Sequence, residues 1–264
     1  MHAQGDIDMT TNVYDDTQNM LACDSRWTYK SAKGDITMYI DDAQFEKLEV
    51  INGIACMFAG EAEGILQWKN HLRDPHNVPE PDLEKENPAD HVSIFLVEDK
   101  SGRVIFHYGH ESRARLDQNG VLHYATFAGT GAVHATIIWQ MSGCPLQATK
   151  HAIRSDSSCG GVVRQYNPVT GKGNLVECKG LDSVLAKLKE RGIVMMSTEQ
   201  STGASDLVAM GVAEAASINP DVQQALDDLE AGRAGFSAPC DAMTKRMPTE
   251  KRLELRSVVN KYFK

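Results

Sequence analysis

Thr10-Thr11-Asn12-Val13-Tyr14, then Asp15-Asp16-Thr17-Gln18-Asn19, then Met20-Leu21-Ala22-Cys23-Asp24-Ser25-Arg26 is the stretch from which the fold is read. Two half-apolar runs flank a polar cluster of turn-forming residues, which predicts a β-hairpin. A threonine pair opens it, and Asp24 stands where its second strand leaves. Phe45-Glu46-Lys47-Leu48-Glu49-Val50-Ile51-Asn52 is the next clear strand candidate. Its period of two puts Phe45, Lys47 and Glu49 on one face, an unusual place for a lysine.

Working outward, residues 27–42 read as a polar connection with a turn at Ser31-Ala32-Lys33-Gly34-Asp35. Residues 50–60 read as strand, Asn52-Gly53 turn, strand. Ile65, Leu66, Trp68 and Leu72 recur at helical spacing within residues 61–73, and the proline-rich residues 75–82 end that helix. Strands are predicted at 92–98, 104–109 and 121–128. Helices at 132–141 and 146–153 are separated by Gly143-Cys144-Pro145, and a final hairpin spans 162–178. A helix at 181–191 is followed by helix candidates at 206–218, 220–231 and 250–262, with residues 232–248 linking the last two. Strands, helix, strands, a helix pair and strands again predict a layered α+β architecture in preference to a parallel doubly wound sheet.

The chain has 264 residues, 42% of them hydrophobic, which suffices for one large domain or a domain with an appendage. A net charge of -9 without a long basic run speaks against nucleic acid or an anionic membrane surface as partner. Residues 1–8 lack the apolar centre of a secretory signal and no apolar run is long enough to span a bilayer, so a cytoplasmic location is expected. The six cysteines, Cys23, Cys56, Cys144, Cys159, Cys178 and Cys240, show no zinc spacing and are expected to be reduced thiols, several of them buried. His107 and His110 form the one close histidine pair and lack further ligands, so neither metal nor cofactor is expected.

The order of several short motifs carries a resemblance. Thr10-Thr11 opening a strand, Ala22-x-Asp24-Ser25-Arg26 in the second strand, Lys47 with Ile51-Asn52 beyond it, Ala59-Gly60, Ala128-Gly129-Thr130-Gly131 before a helix, and Arg154-Ser155-Asp156 running to Gly160-Gly161 together resemble the catalytic β-subunits of the proteasome and their bacterial HslV-type relatives. The likeness covers residues 10–190. It departs from the family pattern at Thr130 and Cys159, where serine is usual, and at Glu61, where a small residue is usual. The resemblance implies a four-layer αββα sandwich of the N-terminal nucleophile hydrolase type. Residues 1–9 are then a leader or a mis-assigned start, and residues 191–264 a helical C-terminal extension that packs on the sandwich, gates a chamber or binds a partner.

In such an enzyme Thr10 would be the nucleophile and its own α-amine the base, since a free amine of typical pKa about 7.7 to 8.0 can accept the hydroxyl proton near neutrality. Lys47 would favour the neutral amine and stabilise the alkoxide, and Asp24 would hold Lys47. By the same resemblance Gly60 supplies an oxyanion-hole N–H, Thr130 and Asp156 orient the amine, and Trp27, Phe45 and Phe58 line the first specificity pocket. The amine must be free, through removal of Met9 from a start at Met9 or through self-cleavage of the Met9–Thr10 bond. The expected partners are polypeptide substrate, copies of the chain in a ring, and an ATP-driven unfoldase. A catalytically silent ring or shell subunit and a small-amide hydrolase are the alternatives.

Overall fold

The computed structural model describes residues 10–82, 87–156, 158–199 and 205–263. In chain order the elements are β1 (Asn12–Asp15), β2 (Met20–Cys23), β3 (Arg26–Lys30), β4 (Ile36–Asp41), β5 (Leu48–Ile51), β6 (Ile54–Glu61), α1 (Ala62–Arg73), β7 (Val92–Glu98), β8 (Val104–Tyr108), β9 (Glu111–Leu116) and β10 (Leu122–Ala128). There follow α2 (Ala132–Ser142), α3 (Pro145–Ser155), β11 (Arg164–Asn167), β12 (Lys172–Gly173), α4 (Asp182–Arg191), β13 (Ile193–Glu199), β14 (Ser205–Gly211), α5 (Val212–Ile218), α6 (Pro220–Glu230), β15 (Ser237–Ala238) and α7 (Thr249–Tyr262).

Two antiparallel sheets result. One has the order β12-β11-β2-β1-β10-β9; the other runs β14-β13-β4-β3-β15-β6-β7-β8, with β5 pairing β6. Strand alternation assigns every apolar face. Tyr14, Leu21 and Cys23 of the first sheet meet Ala55, Met57, Phe95 and Val97 of the second in a core between the sheets. Val13 and Phe127 point the other way, onto Ala135 and Trp139 of α2 and Ala148 and Ala152 of α3. Ile54, Cys56, Phe58, Ile94 and Leu96 form the outer face of the second sheet, covered by α1 and by α4 to α7 through Ile65, Trp68, Leu188, Leu226 and Val259. The order of layers is helix, sheet, sheet, helix, as expected.

Several elements differ from the sequence reading. Residues 27–42 are no polar connection: β3 and β4 pair with Trp27 opposite Ile40 and Tyr29 opposite Met38, all four buried. The lysine strand begins at Leu48, so Lys47 precedes it, although its carbonyl still accepts from the Phe58 N–H at 2.8 Å. The charged, solvent-facing β9 was not expected. Residues 175–178 form no strand; β11 returns through the two-residue β12. The segment after residue 190 is not wholly helical. β13 pairs β4 and β14, and β15 lies between β3 and β6, so residues on both sides of that boundary build one sheet.

One half-buried histidine makes an acid-stability prediction. His110 Nδ1 donates to the Tyr108 carbonyl at 2.9 Å and lies 2.9 Å from Ser93 Oγ, while burial pushes its pKa down to about 3 from 6.5. Neutral His110 is the folded form, and the unfolded chain takes up the proton below about 6.5. Its contribution is therefore present above pH 6.5 and is lost as pH falls from 6.5 towards 3, by up to a few kcal/mol at the linkage slope of about 1.4 kcal/mol per pH unit. Urea unfolding at pH 7 and pH 5 should show lower stability at pH 5, and His110→Gln should flatten the difference.

Candidate active site

The β1–β2 register builds the site. Asn12 faces Cys23, so Thr11 comes opposite Asp24, and the Asp24 N–H donates to the Thr11 carbonyl at 3.2 Å. A slip of one residue would turn Asp24 to the other face. The turn is held by Asp15, whose Oδ1 accepts from the N–H groups of Thr17 (3.0 Å) and Gln18 (2.8 Å) while Oδ2 accepts from Trp139 Nε1 at 2.6 Å.

Thr10 Oγ1 donates to Asp24 Oδ1 at 2.5 Å, and Lys47 Nζ donates both to Thr10 Oγ1 and to Asp24 Oδ1, the latter at 2.9 Å. All three residues are buried. Asp24 is further saturated by the N–H of Thr11 on Oδ1 (3.0 Å) and by those of Arg26 (3.2 Å) and Gly160 (3.3 Å) on Oδ2. A buried carboxylate surrounded by donors with an ammonium against it is the arrangement in which a buried ion pair is tolerated. It fixes one hydroxyl between a cation and an anion.

The β10–α2 connection packs so closely on Thr10 that a side chain at position 129 would not fit. Gly129 has φ +84°, and a Cβ on it would stand 2.1 Å from the Thr10 carbonyl oxygen. That carbonyl accepts from the Gly131 N–H at 3.0 Å. Gly60, at the end of β6, has φ +128°, and a Cβ there would meet the His91 carbonyl oxygen at 2.1 Å. Only glycine combines this backbone with that approach.

Asp156 lies at the end of α3 and accepts from the Ser158 N–H at 2.9 Å and from Cys159 Sγ at 3.5 Å. Cys159 Sγ in turn is 3.1 Å from Thr11 Oγ1, so Asp156 reaches the threonine pair through the thiol. Burial raises the Asp156 carboxyl above the usual carboxylate range and pushes the Cys159 thiol up as well. Thr130 sits in the turn between Gly129 and Gly131.

Trp27, Phe45 and Phe58, expected to line a specificity pocket, are buried side chains in the core beneath the second sheet's outer face: Trp27 Nε1 donates to the Phe45 carbonyl at 2.7 Å, and the two rings are 5.1 Å apart. Their buried neighbour Lys69 was missed by sequence reasoning. Its Nζ donates to the Glu46 carbonyl, lies 3.3 Å from Cys178 Sγ and 3.6 Å from Glu49 Oε2, and stands 4.6 Å over the Phe45 ring. Its position between Trp68 and Asn70 on an amphipathic helix carried no signal, because only contacts from residues distant in sequence bury it. Among the described residues no three His, Cys, Asp or Glu side chains form a metal-binding group, and no helix is long and apolar enough to cross a membrane.

No protein-family model matches the chain, and no curated protein does. Among solved structures, one described as Thiobacillus denitrificans BPH in complex with Epoxomicin is similar over 65% of this chain and 100% of that one, with 11% identity and a TM-score of 0.35. With so slight a likeness, a functional reading has to stand on the site itself.

Proposed function

We propose that the chain is an N-terminal nucleophile hydrolase of the threonine type that cleaves peptide bonds, with the four-layer sandwich of that class. The observation that carries this reading is Thr10 Oγ1 held between Asp24 and Lys47 in a buried, fully hydrogen-bonded triad at the start of β1. In a chain whose Met9–Thr10 bond has been cut, the Thr10 amine takes the hydroxyl proton, Oγ1 attacks the substrate carbonyl, and the same amine passes the proton to the leaving nitrogen. Water then hydrolyses the ester by the reverse path. Lys47 lowers the energy of the developing alkoxide and Asp24 keeps Lys47 in place. The Gly60 N–H is offered to the oxyanion; loss of such a donor typically costs about 10²- to 10³-fold. Thr130 and Asp156 would orient the amine.

Activity should rise with pH through about 7 to 8, because the neutral amine is the active form. Thr10→Ala is expected to reduce kcat/KM on peptide substrates by at least about 10³-fold and Thr10→Ser to retain measurable turnover, since serine keeps both amine and hydroxyl. Equal activity of Thr10→Ala and the unaltered chain would remove the reading.

Assembly into a ring with copies of the chain, feeding by an ATP-driven unfoldase and a cytoplasmic setting belong to the same proposal. Exposed Val133, Ile137 and Met141 form one stripe along α2, which suits contact with a second copy. A silent structural subunit is the second reading, favoured by the burial of Thr10, Asp24, Lys47 and Gly60.

A further inference from the structure

The space between β3 and β6 is one strand wide, and β15 fills it. Ser237 pairs antiparallel with Thr28 on one side and with Glu61 on the other, and Ala238 lies opposite Gly60. The Ala62 N–H donates to the Phe236 carbonyl at 2.9 Å. Without β15 the two flanking strands would present facing rows of unpaired backbone donors and acceptors beside Gly60, and such a slot accepts one extended peptide from either side. From these contacts we propose that residues 236–238 are an internal substrate mimic, closing the groove that an extended peptide must enter to reach Thr10. This rests on the peptidase reading above.

The segment has the properties of an occupant held at both ends. Upstream, the buried Phe236 side chain belongs to the core cluster that includes Leu229. Downstream, Cys240 and Ala242 pack on Ala59, and Tyr108 donates to the Lys245 carbonyl at 3.1 Å. Beyond them, Arg246 and Arg252 converge on the buried carboxylate of Asp90 at 2.7 and 3.1 Å. The residue opposite Gly60 is followed by Pro239, so the bond at that point is a tertiary amide with φ fixed by the ring. The occupant also indicates what the groove takes: a peptide with a bulky apolar residue two positions before a small one, as Phe236 stands to Ala238.

The test is binding, read separately from turnover. A fluorescent peptide of residues 234–241 (Ala-Gly-Phe-Ser-Ala-Pro-Cys-Asp) and a scrambled control are titrated by anisotropy into the full chain, unaltered or carrying Ser237→Pro, which removes a backbone N–H from the strand, or Asp90→Asn, which removes the negative charge facing Arg246 and Arg252. At least tenfold tighter binding of the native-order peptide to either folded variant than to the unaltered chain is expected. Binding no tighter than to the unaltered chain, or equal binding of the scrambled peptide, overturns the proposal. Failure of both variants to fold overturns it too, since β15 would then be a structural strand and not a removable one. A version of the peptide with alanine at the position of Pro239 that binds the variants but is never cut by a chain beginning at Thr10 removes the peptidase reading and leaves a peptide-binding groove. Equal cleavage by unaltered and variant chains does the reverse.

Discussion

Lys47→Ala should cost about 3 to 5 kcal/mol of folding stability, the typical penalty for removing one partner of a buried ion pair. Asp24 would keep its carboxylate at the centre of the fold with amide and hydroxyl donors but no cation within 3 Å, where Lys47 Nζ now sits at 2.9 Å. Against a usual total of about 5 to 15 kcal/mol this is a large share. Peptidase activity should fall by at least about 10²-fold, because the Lys47 ammonium that donates to the Thr10 oxygen is lost. Lys47→Met keeps most of the volume beside the Trp27 ring, whose centroid is 5.5 Å from Nζ, and so isolates charge from packing. Adding Asp24→Asn to Lys47→Met should recover part of the lost stability while leaving activity lost. Urea midpoints of the unaltered chain, Lys47→Met, Asp24→Asn and the double variant read the coupling directly, and additivity of the two changes would mean that the pair is not an energetic unit.

Gly60→Ala is the second large effect. The φ of +128° is costly for any side chain, by about 1 to 3 kcal/mol, and the new Cβ would stand 2.1 Å from a backbone oxygen that cannot swing away like a side-chain tip. Relief requires β6 to separate from β7 where Gly60 pairs with Val92. A loss above about 3 kcal/mol is expected, with weaker amide protection at residues 92 and 93. Gly53→Ala is the matched control: its φ is +77° but nothing lies within 4 Å of the added methyl, so it should cost only about 1 kcal/mol. Similar losses for both would show that the approach of His91 is not what requires glycine at position 60.

What was legible in the chain follows from where the forces are local. The hairpin around Asp15 to Asn19, the Asn52-Gly53 turn, and α1 to α4, α6 and α7 carry their own turn, cap or periodicity signals, and the structure has them within a few residues. Asn52 and Gly53 both have positive φ, as that hairpin turn requires. β3 buries Trp27, Thr28 and Tyr29 in a row and so shows no period of two, whereas β4 does alternate buried and half-buried residues from Ile36 to Asp41, a pattern masked by the charged and turn-forming residues that surround it. β14 reads as helix through Leu207, Ala209 and Met210, yet pairing with β13 overrides that propensity. Two-residue β15 has no local signature: its strand state exists only because two other strands flank it. The site followed the same rule. The order of Thr10, Asp24, Lys47 and Gly129 pointed to residues that the fold does bring together, whereas the Cys159 bridge from Asp156 to Thr11 and the burial of Lys69 depend on side-chain packing between distant segments.

The most direct measurement is intact mass and N-terminal sequence of the purified protein, followed by peptide turnover of the chain that begins at Thr10 beside its Thr10→Ala counterpart. The account predicts a chain starting at Thr10 that, once β15 is displaced, cleaves peptides containing a bulky apolar residue two positions before a small one, with activity lost on substitution by alanine. A chain that starts at Thr10 with a free amine and an intact fold, yet turns over no better than Thr10→Ala once β15 has been released by Asp90→Asn, would contradict it.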